Sequence, residues 1–358
     1  MCDSRFLCAP RRARREERTV KFGRVGGGLL AALAWAVLGN PAPASAVTVD
    51  WVFIGDPGNP ADPNPDTVKC APSAISPCGS VAHEYAISKY EVTNTQYAEF
   101  LNAKAAADPL ALYHTNMNAS SNGGITRSGV SGSYGYSVKA GMESMPINYV
   151  SFWDATRFAN WLHNGQGSGD TETGAYTLLG GTPTPSNGAT VTRNPGAIVF
   201  LPSENEWYKA AYYDPISDVY YAYPTGTDTP TVCSGPTGTA HHANCFTGSY
   251  AVAAVGAYPG SASPNGTFDQ GGNVAEWNDS VVYGSSRGRR GGSFYGGAGE
   301  LAADYPVGVA PTLQNDDIGF RVAMIPEPST GLLVAAGFAG IALRRRSRSS
   351  PRTQRSRP

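Results

Sequence analysis

The sequence predicts a single irregular, loop-rich α+β domain with a few short helices and short strands. Two observations predict this fold class. Helical periodicity of apolar side chains is confined to three segments of a chain of 358 residues. Glycine and proline, which number 43 and 27, cluster in runs that predict surface loops. These runs lie around residues 56–65, 120–135, 165–196 and 224–240.

Three segments pair a helix-capping residue with apolar side chains at helical spacing. The caps are Thr93-Asn94 in the first segment, Ser151 with Asp154 in the second and Ser203 with Glu206 in the third. The apolar positions are Tyr97, Phe100 and Leu101, then Ala155, Phe158, Ala159 and Leu162, then Trp207, Ala210 and Ala211. Because long structureless connections are rare in compact domains, we expect disulfides and bound calcium to stabilise the loops between these helices.

Residues 1–46 predict a cleaved export signal. A basic stretch from Arg11 to Arg24 precedes an apolar run from Val25 to Leu38, and Ala44-Ser45-Ala46 offers the small residues that a signal peptidase needs. An apolar core of about 14 residues is short for a permanent membrane span. An uncleaved membrane anchor is the alternative interpretation.

The C-terminal segment 326–346 has three parts in a fixed order. These are Pro326-Glu327-Pro328, an apolar run from Gly331 to Leu343, and the cluster Arg344, Arg345 and Arg346. This pattern resembles the PEP-CTERM sorting signal of exopolysaccharide-producing Gram-negative bacteria, which implies processing by an exosortase. The arginines would stay on the cytoplasmic side while the short apolar helix inserts transiently into the membrane. Residues 347–358 are interpreted as a disordered basic tail.

The region between these signals, residues 47–325, is strongly acidic. It keeps 12 of the basic and 24 of the acidic residues, so its net charge is near −12, whereas that of the full chain is −1. Such a charge opposes binding to nucleic acid. It suits divalent cations, which prefer hard oxygen ligands.

The cysteines agree with export. Cys2 and Cys8 lie in the predicted signal, and four cysteines remain, an even number that predicts two disulfides in an oxidising compartment. Pairing between near neighbours would give Cys70–Cys78 and Cys233–Cys245. A reactive thiol pair is the alternative.

Several ordered sequence blocks resemble the formylglycine-generating enzyme family, the sulfatase-modifying factors. They are Ser88 to Tyr97, Met145 to Ala155, Phe200 to Trp207, Gly272 to Trp277, Arg289 to Gly296 and Gly319 to Val322. The resemblance covers nearly all of residues 47–325. It implies a single domain related to C-type lectins, with short antiparallel strands and two bound calcium ions.

Structural roles also explain many residues in these blocks. Capping accounts for Asn148, Ser151, Ser203 and Glu206, and burial in the core accounts for the aromatic side chains. Arg321 is expected to form one half of a buried ion pair, with Glu206 or Glu276 as its partner.

The resemblance implies specific calcium ligands. One site maps to Asp269, Gly272, Val274 and Glu276, where two carboxylates flank a glycine turn as a hard cation requires. A simple turn before a strand is the alternative. The second site maps to Asn244, Cys245, Gly248 and Tyr250, and it is weakened because Gly248 replaces a family aspartate.

The resemblance fails at the catalytic centre. In this family two cysteines bind a copper(I) ion that activates oxygen, and they follow the motif serine, here Ser293. Their positions hold Gly296 and Leu301, and no cysteine follows Cys245. Because soft thiolates are what selects copper(I), we expect neither copper binding nor formylglycine generation.

No other catalytic constellation is evident. The adjacent His241 and His242 would point apart on a strand, and the chain lacks phosphate-loop, nucleophile-elbow and zincin motifs. Asp316-Asp317 resembles an acidic turn. Two hypotheses follow: a calcium-stabilised surface module that binds polysaccharide or protein, and an oxidase that uses other ligands. Tyrosines that could serve the first hypothesis are Tyr134, Tyr136, Tyr212, Tyr213, Tyr220, Tyr221 and Tyr223. Ordinary positions in the core and at its rim are the alternative for them.

Overall fold

The computed structural model describes residues 46–64, 78–248, 250–282 and 284–326. Apart from Ala46 and Pro326, the predicted signal peptide, sorting signal and basic tail lie outside these residues. All of the described residues belong to one compact unit, which begins at Pro43.

The three predicted helices are present, and each begins at its predicted cap. The helices of the described ranges are α1 (Asn94–Lys104), α2 (Asn116–Ala119), α3 (Phe152–His163) and α4 (Glu204–Tyr212). At α3 the Ser151 hydroxyl accepts a hydrogen bond from the Asp154 amide at 3.2 Å, and the Asp154 carboxylate accepts one from the Ser151 amide at 2.8 Å. Helix α2 is a single turn without a side-chain cap, so no periodic pattern could predict it.

The strands are short and form two four-stranded sheets and three strand pairs. In chain order they are β1 (Trp51–Ile54), β2 (Tyr85–Ser88), β3 (Ile125–Ser128), β4 (Gly135–Val138), β5 (Val199–Phe200), β6 (Tyr213–Asp214), β7 (Val219–Tyr220), β8 (Val232–Cys233), β9 (His242–Ala243), β10 (Ala275–Val281), β11 (Arg287–Arg290), β12 (Val307–Val309), β13 (Ile318–Phe320) and β14 (Ala323–Met324). The first sheet has the order β1-β2-β14-β5 and is antiparallel throughout.

The second sheet has the order β12-β11-β10-β13. Strands β10 and β13 pair in parallel, with Glu276 opposite Gly319, and the small pair β8–β9 is also parallel. The predicted α+β class is confirmed. The expectation of antiparallel strands holds for the other pairs but not for these two.

A cluster of aromatic side chains joins α1, α3 and the second sheet. Phe158 lies at the centre, with its ring centroid 5.4 Å from Phe100, 5.4 Å from Phe320 and 5.7 Å from Trp161. Phe100, Phe158 and Phe320 are fully buried. Edge-to-face and tilted contacts of this kind add to the free energy of burial.

An ion pair inside the protein links elements that are far apart in sequence. Arg321 Nε lies 2.6 Å from Glu276 Oε2, and both side chains are fully buried. The Arg321 guanidinium also donates to the carbonyl oxygens of Ser88 at 3.0 Å and Phe268 at 2.8 Å. Trp207 of α4 donates its indole N–H to the same carboxylate at 2.7 Å. Glu276 is therefore the partner of Arg321.

Glu206, the other acid considered for Arg321, pairs with Arg193 instead. Their closest atoms are 2.7 Å apart, and His83 Nε2 lies 3.0 Å from the same carboxylate. Burial opposes ionisation of Glu206, but the hydrogen bonds from Arg193 and His83 outweigh it and lower the pKa to about 2. This carboxylate also completes the cap of α4 by accepting from the Ser203 amide.

Replacing Glu276 with glutamine is expected to destabilise the protein by about 3–5 kcal/mol, because the Arg321 charge would stay buried without its counter-charge. Urea unfolding followed by circular dichroism measures this loss. The matched control is Arg127→Met, whose pair with Asp108 is partly exposed and should contribute less than about 1 kcal/mol. Equal losses in the two variants would contradict the prediction.

Candidate functional site

A double-glycine turn after β11 positions the loop that matches the family's catalytic segment. Gly291 and Gly292 have φ angles of 95° and 63°, a backbone region that disfavours other residues. A Cβ atom added to Gly291 would lie 2.8 Å from the carbonyl oxygen of Gln270, and one added to Gly292 would lie 2.9 Å from the carbonyl oxygen of Glu300. Only glycine fits these close approaches, and the turn places Ser293 in the interior.

The Ser293 hydroxyl is held by hydrogen bonds within the protein. It donates to Asp317 Oδ2 at 3.2 Å and accepts from the Tyr295 amide at 3.3 Å, and the side chain is almost fully buried. Asp317 lies 3.6 Å from Arg289 Nη1. Asp317, which is itself paired with Arg289, orients the Ser293 hydroxyl.

The position of the first family cysteine, Gly296, faces another side chain. A Cβ atom built on Gly296 would lie 2.2 Å from Glu300 Oε2 and 2.3 Å from Glu300 Cδ. The Glu300 carboxyl group therefore occupies the space that a side chain at this position would need. Glu300 belongs to a single 3₁₀ turn, Ala298–Leu301, which follows directly.

The position of the second family cysteine, Leu301, is part of the core. Leu301 is fully buried and packs in a small cluster with Ala243 and Cys245. The Tyr212 hydroxyl donates to the Leu301 carbonyl oxygen at 3.1 Å. An apolar wall thus stands where the family has a metal ligand.

The predicted disulfide Cys233–Cys245 is present, with the sulfur atoms 2.00 Å apart and the Cα atoms 4.8 Å apart. It lies against Leu301 and stabilises the loop between β8 and β9. The alternative of a reactive thiol pair is therefore wrong for these two cysteines. Cys70 lies outside the described residues, so the pairing Cys70–Cys78 stays a prediction.

These residues do not fit copper(I). Cys233 and Cys245 are joined to each other, and Ser293 alone offers one hydroxyl that Asp317 already holds. Within the described ranges, no group of three or more His, Cys, Asp or Glu side chains could hold a metal ion. No thiolate pair is therefore placed at this loop to select copper(I).

The first predicted calcium site is only partly assembled. Both oxygens of Glu276 accept from Arg321 at 2.6 Å, so this side chain is a poor calcium ligand. Asp269 fits better, because one carboxylate oxygen accepts from the Gly256 amide at 2.6 Å and the other has no donor among the described residues. Burial raises the pKa of Asp269 to about 6.

Glu91 is an acidic neighbour of this site that sequence reasoning missed. Its carboxylate accepts from the Val274 amide at 3.2 Å and from Asn273 Nδ2 at 3.0 Å, and its side chain is buried. Burial, with the charges of Asp269 and Glu276, raises the pKa of Glu91 well above its usual value. Only its place in the first sequence block, between Tyr90 and Val92, could have indicated it.

The second predicted calcium site is less well assembled. The Asn244 amide group donates to the Ala251 carbonyl oxygen and to Asn273 Oδ1. The Tyr250 carbonyl oxygen accepts from Asn122 Nδ2 at 3.1 Å, and Gly248 is exposed without any side chain. The Tyr250 carbonyl oxygen therefore already has a donor, and Gly248 offers no side-chain oxygen.

Three exposed aromatic side chains lie beside the Ser293 loop, and we call them the aromatic patch: Phe246, Tyr250 and Tyr295. The ring centroids of Phe246 and Tyr250 are 5.1 Å apart, and those of Tyr250 and Tyr295 are 5.0 Å apart. The Tyr295 hydroxyl donates to Asp316 Oδ2 at 3.0 Å. Sequence reasoning named Tyr250 only as a calcium ligand and did not predict this patch.

Most tyrosines that the sequence suggested for a binding surface have structural roles instead. Tyr136, Tyr212 and Tyr213 are buried, and the others are half-buried. Tyr208 and Tyr212 pack with their ring centroids 4.7 Å apart, beside the buried Arg290. The expectation of a surface site built from these tyrosines is wrong for the buried ones.

The histidines do not converge on one site. His83 contacts Glu206, His114 stacks on Tyr149, and the His163 ring accepts from the Ile198 amide. His241 and His242 have different partners, the Thr225 carbonyl oxygen and the Ser234 hydroxyl. The adjacent pair therefore does not act jointly as a ligand set.

The fold and the double-glycine loop define a loop-rich α+β domain with a formylglycine-generating type of site that lacks its thiols. The chain belongs to the family described as sulfatase-modifying factor enzyme 1-like domain, whose profile matches residues 75–325. A PEP-CTERM protein-sorting motif matches residues 325–346, which indicates an exported protein processed by an exosortase. Comparison with curated proteins finds no match.

Solved structures that are similar to this chain include the following three. CarF aligns with a TM-score of 0.51 at 22% identity, covering 78% of this chain and 99% of that one. Treponema denticola variable protein 1 aligns at 0.44 and 18% identity, covering 80% and 98%. PvdO from Pseudomonas aeruginosa aligns at 0.42 and 17% identity, covering 78% and 93%. The likeness to CarF supports the fold alone.

In the part of the chain that the structure describes, no helix has the length and apolar character needed to cross a membrane. The apolar run from Gly331 to Leu343, predicted to insert transiently, lies outside that part.

Restoring the two cysteines is not expected to restore copper binding. In the double variant Gly296→Cys with Leu301→Cys, one thiol would have to displace the Glu300 carboxyl group, and the other would lie in the core. We expect no tight copper(I) binding in a competition titration with a chromogenic chelator, and a stability loss of about 1–3 kcal/mol from the Leu301 change. Stoichiometric copper(I) binding would show instead that the pocket is intact and only its ligands are lost.

Proposed function

We propose that this chain is an exported, non-catalytic binding module of the sulfatase-modifying factor family. The observation that carries the proposal is that Gly296, at the position of the first cysteine, offers no ligand and only meets the tip of the Glu300 side chain. The buried Leu301 supports it, since neither position offers a soft ligand. The module is retained at the cell surface or associated with exopolysaccharide.

The ends of the chain support the placement outside the cytoplasm. A signal peptidase would cleave after Ala46, and an exosortase would process the tail that begins at Pro326. The internal disulfide Cys233–Cys245 suits an oxidising compartment. The final location is the periplasm, the outer surface or the extracellular matrix of a Gram-negative bacterium.

Calcium stabilises this module at Asp269 and the main-chain oxygens of Gly272 and Val274, while Glu276 remains paired with Arg321. The charges of the buried side chains support this assignment. The charges of Asp269 and Glu276 help to raise the pKa of Glu91, and Arg321 is the cation that opposes this. A divalent cation would compensate the excess negative charge.

The purified protein is not expected to oxidise cysteine. It would be incubated with a peptide carrying the sulfatase cysteine motif, copper and oxygen, and the products analysed by mass spectrometry. We expect no formylglycine, because no thiolate pair is available to hold copper(I). Turnover that disappears in Ser293→Ala would overturn the proposal and favour an oxidase with other ligands.

Removing calcium is expected to lower the melting temperature by roughly 5 °C, since a cation bound only to the folded state stabilises it. Thermal melting with and without a calcium chelator, together with metal analysis, measures this. Asp269→Ala should abolish the response to chelator, and the exposed Asp304→Ala serves as the control. No bound calcium and an unchanged melting temperature would remove Asp269 from the proposed site.

A further inference from the structure

The aromatic patch is a concentrated area of exposed ring surface. Phe246 is 44% exposed, Tyr250 is 53% exposed and Tyr295 is 44% exposed. The Tyr250 ring contacts both of the others. Single exposed apolar side chains are normal on protein surfaces, whereas a contiguous group indicates an interaction site. No role in the fold explains why these rings remain in water.

The patch is held in place from beneath. Phe294 is fully buried and its ring centroid lies 4.5 Å from that of Tyr295. The Phe246 amide donates to the Gly296 carbonyl oxygen at 2.8 Å, and the Tyr250 carbonyl oxygen accepts from Asn122 Nδ2 at 3.1 Å. The rings are therefore ordered before any ligand arrives, which lowers the entropic cost of binding.

Asp316 supplies polar groups at the edge of the patch. Its Oδ2 accepts from the Tyr295 hydroxyl at 3.0 Å and from Asn122 Nδ2 at 3.2 Å, which leaves Oδ1 for another donor. Burial and the hydrogen bond to Asp316 raise the pKa of Tyr295 to about 12, so the hydroxyl stays protonated. A flat apolar surface thus adjoins a carboxylate acceptor.

This combination suits a sugar ring. The C–H face of a pyranose is apolar and packs on aromatic rings, while its hydroxyl groups donate to carboxylate oxygens. The charge selects among sugars, because Asp316 lies at the site and residues 47–325 carry a net charge near −12. A polyanionic chain would be repelled, and a neutral one would not.

We infer that the aromatic patch with Asp316 binds a neutral polysaccharide, with sugar rings packed on Tyr250 and Tyr295 and a sugar hydroxyl bound to Asp316. This inference rests on the proposed function as a non-catalytic surface module and names its ligand class. Tyr295 directly precedes Gly296, so the loop that lacks the family's copper ligand presents one ring of the patch.

Binding is tested with the purified exported protein and three neutral hexasaccharides, of β-1,4-glucose, α-1,4-glucose and β-1,4-N-acetylglucosamine. Polygalacturonate serves as the polyanionic probe. Tyrosine fluorescence and isothermal titration calorimetry report binding. We expect saturable binding of at least one neutral hexasaccharide and none of polygalacturonate.

The variants Tyr250→Ala and Tyr295→Ala are expected to weaken that binding by about tenfold or more, as removal of a central aromatic contact does. Asp316→Asn should weaken it less. Phe246→Ala removes the third ring of the patch. Its control is Phe53→Ala, which removes a ring that is 58% exposed on β1 and should leave sugar binding unchanged. Melting temperatures of all variants confirm that they fold.

Two results would overturn the inference. One is the absence of binding to any neutral hexasaccharide, or binding that Tyr250→Ala and Tyr295→Ala leave unchanged. The other is a protein that binds no sugar but binds the sulfatase-motif peptide, and loses that peptide binding in these two variants. The patch would then be a peptide site. Formylglycine formation from that peptide is a separate readout, so failure of the proposed function is distinguished from failure of this inference.

Discussion

The buried pair of Arg321 and Glu276 is the interaction on which the arrangement of this domain depends. The guanidinium reaches the end of β2 through the Ser88 carbonyl oxygen, and the carboxylate belongs to β10 and receives the indole of Trp207 in α4. Two sheets and a helix thus share one pair of charges. Few regular elements exist to hold the loops, so this polar network adds to the apolar core in holding them.

This dependence explains why the scaffold persists although the site has changed. The glycine turn at Gly291 and Gly292 is required by the close approach of Gln270 and Glu300, not by chemistry at Ser293. A match to the family motif at this turn therefore indicates the backbone geometry and not the chemistry at Ser293. The positions that correspond to the family's copper ligands, Gly296 and the buried Leu301, lie outside this turn, so its geometry does not depend on them.

Sequence reasoning predicted the three longer helices because their caps and apolar spacing are local signals. It also predicted the disulfide Cys233–Cys245, whose partners are near neighbours. It did not determine which acid pairs with Arg321, since Glu206 and Glu276 differ only in their tertiary surroundings. The aromatic patch escaped prediction because exposure of Phe246, Tyr250 and Tyr295 depends on how distant loops meet, which no periodicity encodes.

The position of β14 in the first sheet has a consequence for how the chain folds. This strand, Ala323–Met324, lies between β2 and β5, although it is the last strand in sequence. The first sheet therefore cannot close until almost the entire domain has emerged, and its β2–β14 ladder joins residues more than 200 positions apart. Contacts at such separation close slowly, because the entropy of large loops is lost before the contacts form. Slow closure of the first sheet is compatible with export of the chain before it folds.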